Sequence, residues 1–289
     1  MSFIHRETMK QPSLRYFLSL VVCVIFYFPV AGMLLNAADD MIKGDTDMAD
    51  LMNGLLPIAL RIICGIAGLL ISIKLILRKP IKEMIHAGGH AHFNNFIIVC
   101  LLWLALLFGK DCAYMWMTGG GLHINPFVKE HTGIILISTL FALVFVPIHA
   151  LCEEIMYRSI PMKGFAHAIN RRWFIIIISS ILFALNHGGQ YGWFWIPLSI
   201  LLALIVIASD NIIYTWAIHT GTNLSNALLI NNPIEDGDQA TTIFIANTAI
   251  PLETSMQLDL AALFVFTVLL FIAKKWKFNK DTIFGKAMQ

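Results

Sequence analysis

Two adjacent glutamates followed by an arginine form the first of three polar clusters in this sequence. Adjacent side chains on an α-helix point about 100° apart, so Glu153 and Glu154 face different directions. Glu154 and Arg158 are four residues apart and share one helix face, so the arginine can neutralise that carboxylate. Glu153 then stays unpaired, as a general base must. The simpler alternative is that this segment is only the solvated end of a membrane span.

Each of the other two clusters contains a histidine. His187 ends a strongly apolar run, and Phe183 lies one turn earlier on the same face. His219 and Asn223 are four residues apart, so both can aim a donor at one point, as the stabilisation of an oxyanion requires. The simpler alternatives are an interfacial or core histidine in the first cluster and hydrogen bonding between helices in the second.

Together the clusters contain the groups that activate a water molecule and stabilise a tetrahedral intermediate. We find no serine, threonine or cysteine with an adjacent base, so water is the expected nucleophile. Glutamate and histidine are also zinc ligands, and two histidines with one carboxylate would suffice for metal-assisted hydrolysis. The HExxH motif is absent and His187 and His219 are expected on different helices, so we predict no metal and no other cofactor.

The order of the clusters resembles the CPBP family of intramembrane glutamic endopeptidases, which contains type II CAAX prenyl proteases and the bacteriocin-processing Abi group. The match lies within residues 147–229, and its three motifs, EExxxR, FxxxH and HxxxN, are Glu153-Glu154…Arg158, Phe183…His187 and His219…Asn223. The resemblance implies that Glu153 and His187 activate the hydrolytic water. It further implies that His219 and Asn223 hold the oxyanion, with Glu154 and Arg158 in supporting roles.

The resemblance also implies an all-α fold of about eight helices, with the site in a cavity below the membrane surface. The substrate would be a peptide or protein, either a prenylated CAAX-type chain or one with a leader peptide. Two alternatives stay open at this point. One is a zinc-dependent membrane metalloprotease, and the other is a non-enzymatic membrane protein of immunity or transport, because intramembrane histidine and glutamate also serve proton-coupled transport.

The composition supports a membrane location independently of these motifs. Of the 289 residues, 58% are hydrophobic and 13% are charged, and the mean hydropathy is +0.74. Soluble domains carry roughly 25% charged residues, so this chain cannot cover a globular surface with polar groups. The composition therefore excludes a disordered chain, a nucleic-acid-binding protein and an ordinary soluble enzyme. We expect a polytopic membrane protein with a single transmembrane domain over residues 1–289.

Eight apolar stretches are long enough, or nearly so, for membrane helices, which need about 20 residues. They are residues 14–35, 55–77, 96–117, 133–155, 173–187, 193–209, 212–230 and 258–273. Basic residues precede the first stretch and follow the second, fourth and last, whereas acidic residues dominate the loops after the first and before the last. Because lysine and arginine mark cytoplasmic sides, this alternation predicts cytoplasmic termini in an inner (plasma) membrane.

One conflict arises from this assignment of spans. Glu153 would lie near the inner end of its span and His187 near the outer end of the next, too far apart to cooperate. We therefore predict that the fourth helix bends near Pro147 and continues past Arg158 to about Gly164. That continuation would lower Glu153 by about 15 Å and bring it to the depth of His187.

Overall fold

The computed structural model describes residues 12–39, 47–86, 93–169, 171–187, 192–231, 242–247 and 250–274. Within these residues the chain is almost entirely helical, which confirms the all-α prediction. In chain order the α-helices are α1 (Pro12–Ile25), α2 (Ala31–Asp39), α3 (Asp47–Leu70), α4 (Lys82–Ile85), α5 (Phe93–Met117), α6 (Pro126–Glu130), α7 (Thr132–Glu154), α8 (Ile160–Ala168), α9 (Arg172–His187), α10 (Trp195–Ser209), α11 (Ile213–Leu224) and α12 (Leu252–Ala273).

Short irregular elements join or extend these helices. Four π-helical segments follow α1, α3, α7 and α11, namely Phe26–Val30, Ile71–Leu77, Ile155–Ser159 and Ser225–Leu229, and the 3₁₀ turn Gly192–Phe194 precedes α10. A small sheet is formed by β1 (Leu122–Ile124), β2 (Ile230–Asn231) and β3 (Phe244–Ala246). β3 is central, antiparallel to β1 and parallel to β2. The sequence did not predict this sheet, because its strands are short and distant in the chain.

Among the described residues, six helical stretches are long and apolar enough to cross a membrane. They are Pro12–Ala37, Leu55–Leu77, Phe93–Met117, Thr132–Ala168, Gly192–Ser209 and Leu252–Ala273. The shorter apolar helix α9 has 16 residues, and α11 with its π-helical extension carries the polar side chains of the third cluster. An integral membrane protein is therefore the correct class. All eight predicted stretches are helical, but the count of eight membrane spans is approximate.

The fourth membrane stretch continues as predicted. α7, the π-helical segment Ile155–Ser159 and α8 form one helical stretch, Thr132–Ala168, which extends past both Arg158 and Gly164. Pro161 has no N–H to donate to the Tyr157 carbonyl four residues earlier, and that carbonyl accepts a hydrogen bond from the Ser179 hydroxyl instead. The continuation of this helix removes the conflict between the depths of the first two clusters.

α8 and α9 form a helical hairpin that brings the first two clusters together. Glu153 lies 15 residues before Ala168, and His187 lies 15 residues after Arg172. At 1.5 Å per residue, both lie about 23 Å from the turn of the hairpin. The same register brings the Ser179 hydroxyl to the Tyr157 carbonyl, to which it donates over 2.5 Å. Equal distances along antiparallel helices therefore bring both residues to one level.

The core consists of two clusters of buried apolar side chains. One joins α1, α9 and α10 to the long stretch Thr132–Ala168, and the other joins α5, α10, α11 and α12. Cys152 and Ile155 belong to the first cluster, and Ala217 and Ile218 to the second. Glu153 and His219 thus lie where the two clusters meet. This continuity agrees with a single domain, which stays a prediction.

α1 packs closely against α8 at Gly164. A Cβ atom added to Gly164 would lie 2.6 Å from the Cβ of Tyr16. We expect Gly164→Ala to lower the free energy of unfolding by about 1–3 kcal/mol, because the first atom of a buried side chain cannot move without the backbone. Thermal unfolding in detergent measures this loss. Gly109→Ala in α5 is the matched control, since its Cβ meets no atom within 4 Å. Equal melting temperatures for the two variants would contradict the prediction.

Candidate active site

Glu153 is held by side chains from three other helical segments. The residue lies at the end of α7 and is 4% exposed. Its Oε1 atom accepts hydrogen bonds from the Tyr27 hydroxyl at 2.9 Å and from Nδ2 of Asn186 at 3.2 Å. Its Oε2 atom lies 3.2 Å from Nε2 of His219. The helical spacing pairs Arg158 with Glu154 and not with Glu153. The carboxylate of Glu153 instead has partners on other helices.

Glu154 forms the ion pair that the four-residue spacing predicts. Arg158 Nη1 donates to Glu154 Oε1 at 2.5 Å, and both side chains are fully buried. Arg158 Nη2 also donates to the Ser199 hydroxyl at 3.3 Å, and the guanidinium carbon lies 4.3 Å from the centre of the Phe183 ring. The arginine is thus fixed by a carboxylate, a hydroxyl and an aromatic face.

His219 joins the two glutamates. Its Nδ1 atom lies 2.9 Å from Oε1 of Glu154, and its Nε2 atom lies 3.2 Å from Oε2 of Glu153. An ionised carboxylate can only accept hydrogen bonds. Each of the two contacts of His219 therefore needs one proton, which lies either on the imidazole ring or on the carboxyl group. Both ring nitrogens of His219 therefore contact a glutamate. His219 can donate to an oxyanion only after it breaks one of these two contacts.

His187 presents the other ring nitrogen to the site. Its Nδ1 atom lies 2.9 Å from the carbonyl oxygen of Phe183, which can only accept a hydrogen bond. In the neutral ring this contact assigns the proton to Nδ1 and leaves a lone pair on Nε2. The ring packs against both Phe183 and Trp195, with centroids 4.2 Å and 4.6 Å away. The orientation of the imidazole is thus determined by packing as well as by a hydrogen bond.

The three clusters converge on one point. One ligand atom from each of Glu153, His187 and His219 lies within 4.8 Å of the other two. A single water molecule with hydrogen bonds of about 2.8 Å can bridge atoms up to about 5.6 Å apart, so this spacing suits a shared water. Zinc bonds of about 2.0–2.1 Å hold tetrahedral ligand atoms about 3.4 Å apart. The donor types also fit zinc, and Oε2 of Glu153 and Nε2 of His219 already lie 3.2 Å apart.

A cavity of about 410 Å³ adjoins this point. Its walls contain His187, His219 and Asn223, whereas the buried glutamates are not among the residues that line it. Much of the rest is apolar and aromatic, including Trp103 and Trp195. The volume lies within the range of ligand pockets, and apolar walls with a few convergent polar groups are typical of them. The arrangement can hold an apolar chain against the histidines.

Several polar residues near the site were not predicted from the sequence. Lys110 lies 2.5 Å from Asp259 and 2.8 Å from Asp111, and both aspartates line the cavity. The sequence signal for these residues was the presence of charged side chains inside apolar helices, because an unpaired charge in a membrane has a high free-energy cost. Tyr27 and Asn186, both partners of Glu153, were also missed. A tyrosine or asparagine within an apolar run is a weaker signal, since its partner depends on distant packing.

Some predictions fall on residues that the structure does not describe. Residues 1–11 and 275–289 carry most of the basic charges of the two ends of the chain, and residues 232–241 carry acidic charges before the last span. All lie outside the described ranges. The predicted orientation of the termini and the particular membrane therefore stay predictions.

Residues 132–225 match the family model described as Type II CAAX prenyl endopeptidase Rce1-like. The match covers about one third of the chain, from α7 into the π-helical segment after α11, and contains all three motifs. It is consistent with the CPBP family, as the resemblance of the motifs implied. At the level of the family it supports an intramembrane CAAX-type endopeptidase, and so a protease with a peptide substrate. No curated protein and no solved structure matches the chain significantly.

Proposed function

We propose that this protein hydrolyses peptide bonds within the membrane by means of a water molecule that Glu153 and His187 activate. The observation that carries the proposal is the convergence of atoms from Glu153, His187 and His219 within 4.8 Å. This spacing suits a shared water. The family match over residues 132–225 supports the same class of reaction.

In the proposed reaction, Glu153 accepts a proton from the water while the Nε2 lone pair of His187 holds its other hydrogen. The oxygen then attacks the carbonyl carbon of the scissile bond. Asn223, on the cavity wall, donates to the developing oxyanion, and His219 adds a second donor once it releases a glutamate. Glu153 returns its proton to the departing amine, so the protein ends the cycle unchanged.

Glu154 and Arg158 take supporting roles in this proposal. Both are fully buried, and neither lines the cavity. The ion pair gives His219 a fixed acceptor at its Nδ1 atom, which orients the ring toward Glu153. Arg158 also packs against Phe183, whose carbonyl oxygen holds His187. The pair therefore connects the two histidines without contacting substrate.

The proposed substrates are peptides with a strongly apolar segment beside the cleaved bond. The aromatic and aliphatic walls of the cavity support this class, because they would bury such a segment away from water. A prenylated CAAX-type chain and a leader peptide both fit the class. Basic charge near the ends of the sequence supports cytoplasmic termini in an inner (plasma) membrane.

Cleavage of a peptide library by the purified protein tests the proposed function. The library contains CAAX-type and leader-type peptides, each with and without a prenyl group, and mass spectrometry identifies the bond that is cut. We expect cleavage at one bond in at least one class, and the prenyl dependence then identifies the substrate. Folded protein that cleaves no member of the library, but supports ion or solute flux in proteoliposomes that requires Glu153, would establish transport instead.

Zinc-dependent hydrolysis is the second candidate, because Glu153, His187 and His219 are metal-binding side chains that lie close together. Under the proposal with water alone, a strong zinc chelator leaves the rate of cleavage unchanged. The measurement is the cleavage rate before and after chelation, with the zinc content of the purified protein determined in parallel. Activity that disappears with the chelator and returns with added zinc would replace the first mechanism by the second.

A further inference from the structure

Tyr27 brings the first membrane stretch into contact with Glu153. It lies in the π-helical segment Phe26–Val30 and is 5% exposed. Its hydroxyl donates to Oε1 of Glu153 at 2.9 Å and also contacts Nε2 of His149. The centroids of the Tyr27 and His149 rings are 5.8 Å apart, with an angle of 28° between their planes. π-Helical turns are frequent at functional sites, and this one presents a hydroxyl to a carboxylate.

The hydrogen atoms available determine the direction of these contacts. A tyrosine hydroxyl has one hydrogen, and the carboxylate of Glu153 can only accept it. The contact with His149 then requires His149 Nε2 to donate to the tyrosine oxygen. The other nitrogen of His149, Nδ1, lies 4.0 Å from Oε2 of Glu153, which is too long for a hydrogen bond. His149 therefore acts on Glu153 through Tyr27.

The position of the Tyr27 ring depends on a glycine in α3. A Cβ atom added to Gly65 would lie 3.1 Å from Cδ2 of Tyr27 and 4.0 Å from the Cβ of Cys152. The absence of a side chain at Gly65 lets the first stretch approach closely enough for the hydroxyl to reach Glu153. Gly65 of α3 thus lies against one edge of the ring, and His149 contacts its hydroxyl.

We infer that Tyr27 and His149 are positioning residues that hold the carboxylate of Glu153 toward His187. The inference rests on the proposed function, in which Glu153 is the base. It adds a group from the first membrane stretch, which lies outside the family match at residues 132–225. Without the hydroxyl, the hydrogen bond that remains at Oε1 among the described residues is the longer one from Asn186, and the carboxylate can rotate away from the water it must deprotonate.

Tyr27→Phe tests the inference, because it removes the hydroxyl and keeps the ring. We expect kcat to fall about 10- to 100-fold with KM unchanged, since a small misplacement of a reacting group costs up to about 10²-fold and Tyr27 does not line the cavity. Tyr16→Phe is the matched control. Tyr16 is a buried tyrosine of the same membrane stretch, 1% exposed, and it stacks on His167, away from Glu153. This control should keep the kcat of the natural protein.

His149 gives a second test through the same chain of hydrogen bonds. His149→Ala should lower kcat in the natural protein but have no further effect in the Tyr27→Phe variant. His149→Gln, which keeps an N–H donor of similar reach, should restore part of the loss. Independent effects of the two positions, or a fall in kcat for Tyr16→Phe as large as for Tyr27→Phe, would overturn the inference.

Infrared difference spectroscopy gives a readout that does not depend on cleavage. The carboxylate band that disappears in Glu153→Gln should shift in Tyr27→Phe and stay in place in Tyr16→Phe. An unshifted band overturns the inference even when the natural protein cleaves peptides. Conversely, a shifted band in a protein that cleaves nothing supports the contact between Tyr27 and Glu153 but contradicts the proposed function. Failure of the inference and failure of the proposed function are therefore distinguishable.

Discussion

Replacement of Glu153 by glutamine should lower kcat about 10²- to 10⁴-fold, the range that a general base supplies. The variant keeps the shape of the side chain and an oxygen that accepts from Tyr27 and Asn186, so it should still fold and insert. It cannot take a proton from water. The measurement combines the rate of cleavage, by mass spectrometry of the products, with the melting temperature in detergent.

His187→Ala should lower kcat by a comparable factor, because it removes the lone pair that holds the water. The matched control is His123→Ala, which removes an exposed histidine of β1 outside the site. It should leave both the rate and the melting temperature unchanged. Activity retained in both Glu153→Gln and His187→Ala would contradict the proposed mechanism, whatever the substrate.

Arg158→Met should destabilise the folded protein more than Gly164→Ala does. Arg158 and Glu154 are both fully buried, so the methionine variant leaves a carboxylate in the core without its cation. Removal of one partner of a buried ion pair costs about 3–5 kcal/mol. Glu154 Oε2 and Arg158 Nε have no hydrogen-bond partner among the described residues. No hydrogen bond from a described residue to Glu154 Oε2 therefore compensates for the loss of the guanidinium. Thermal unfolding in detergent measures the loss.

Two further variants show whether that loss comes from the unpaired charge. The double variant Glu154→Gln, Arg158→Met removes both charges and should recover most of the stability. Lys79→Met breaks a partly exposed ion pair with Glu83, in which the atoms are 3.5 Å apart and the lysine and glutamate side chains are 12% and 48% exposed. Such pairs contribute about 0–1 kcal/mol. A melting temperature for Arg158→Met equal to that of Lys79→Met would refute the assignment of a buried, energetically coupled pair.

Most features that the sequence predicted correctly depend on properties of a single segment of the chain. Hydropathy over about 20 residues decides whether a helix enters a membrane, so the class of protein and the approximate spans followed from composition and segment length. The Glu154–Arg158 pair followed from the four-residue repeat of a helix face. The continuation of the fourth helix past Arg158 followed from the requirement that Glu153 and His187 reach one depth.

Other features could not be read from local patterns, because they depend on contacts between distant segments. Tyr27 and Glu153 are 126 residues apart in the chain, and Lys110 and Asp259 are 149 apart. β1 and β2 lie more than one hundred residues apart and meet only through β3. No periodicity marks such partners, since each contact arises only when whole helices have packed.

The sequence by itself determined the chemistry that is available, namely two glutamates, two histidines, an arginine and an asparagine on apolar helices in a fixed order. Only the tertiary structure decided how these groups are arranged. It placed His219 between Glu153 and Glu154, assigned Tyr27 to Glu153, and left His187 and Asn223 on the wall of the cavity. The physical reason is that residue type and helical period act along one helix, whereas the distance between side chains of different helices is set by the packing of both core clusters.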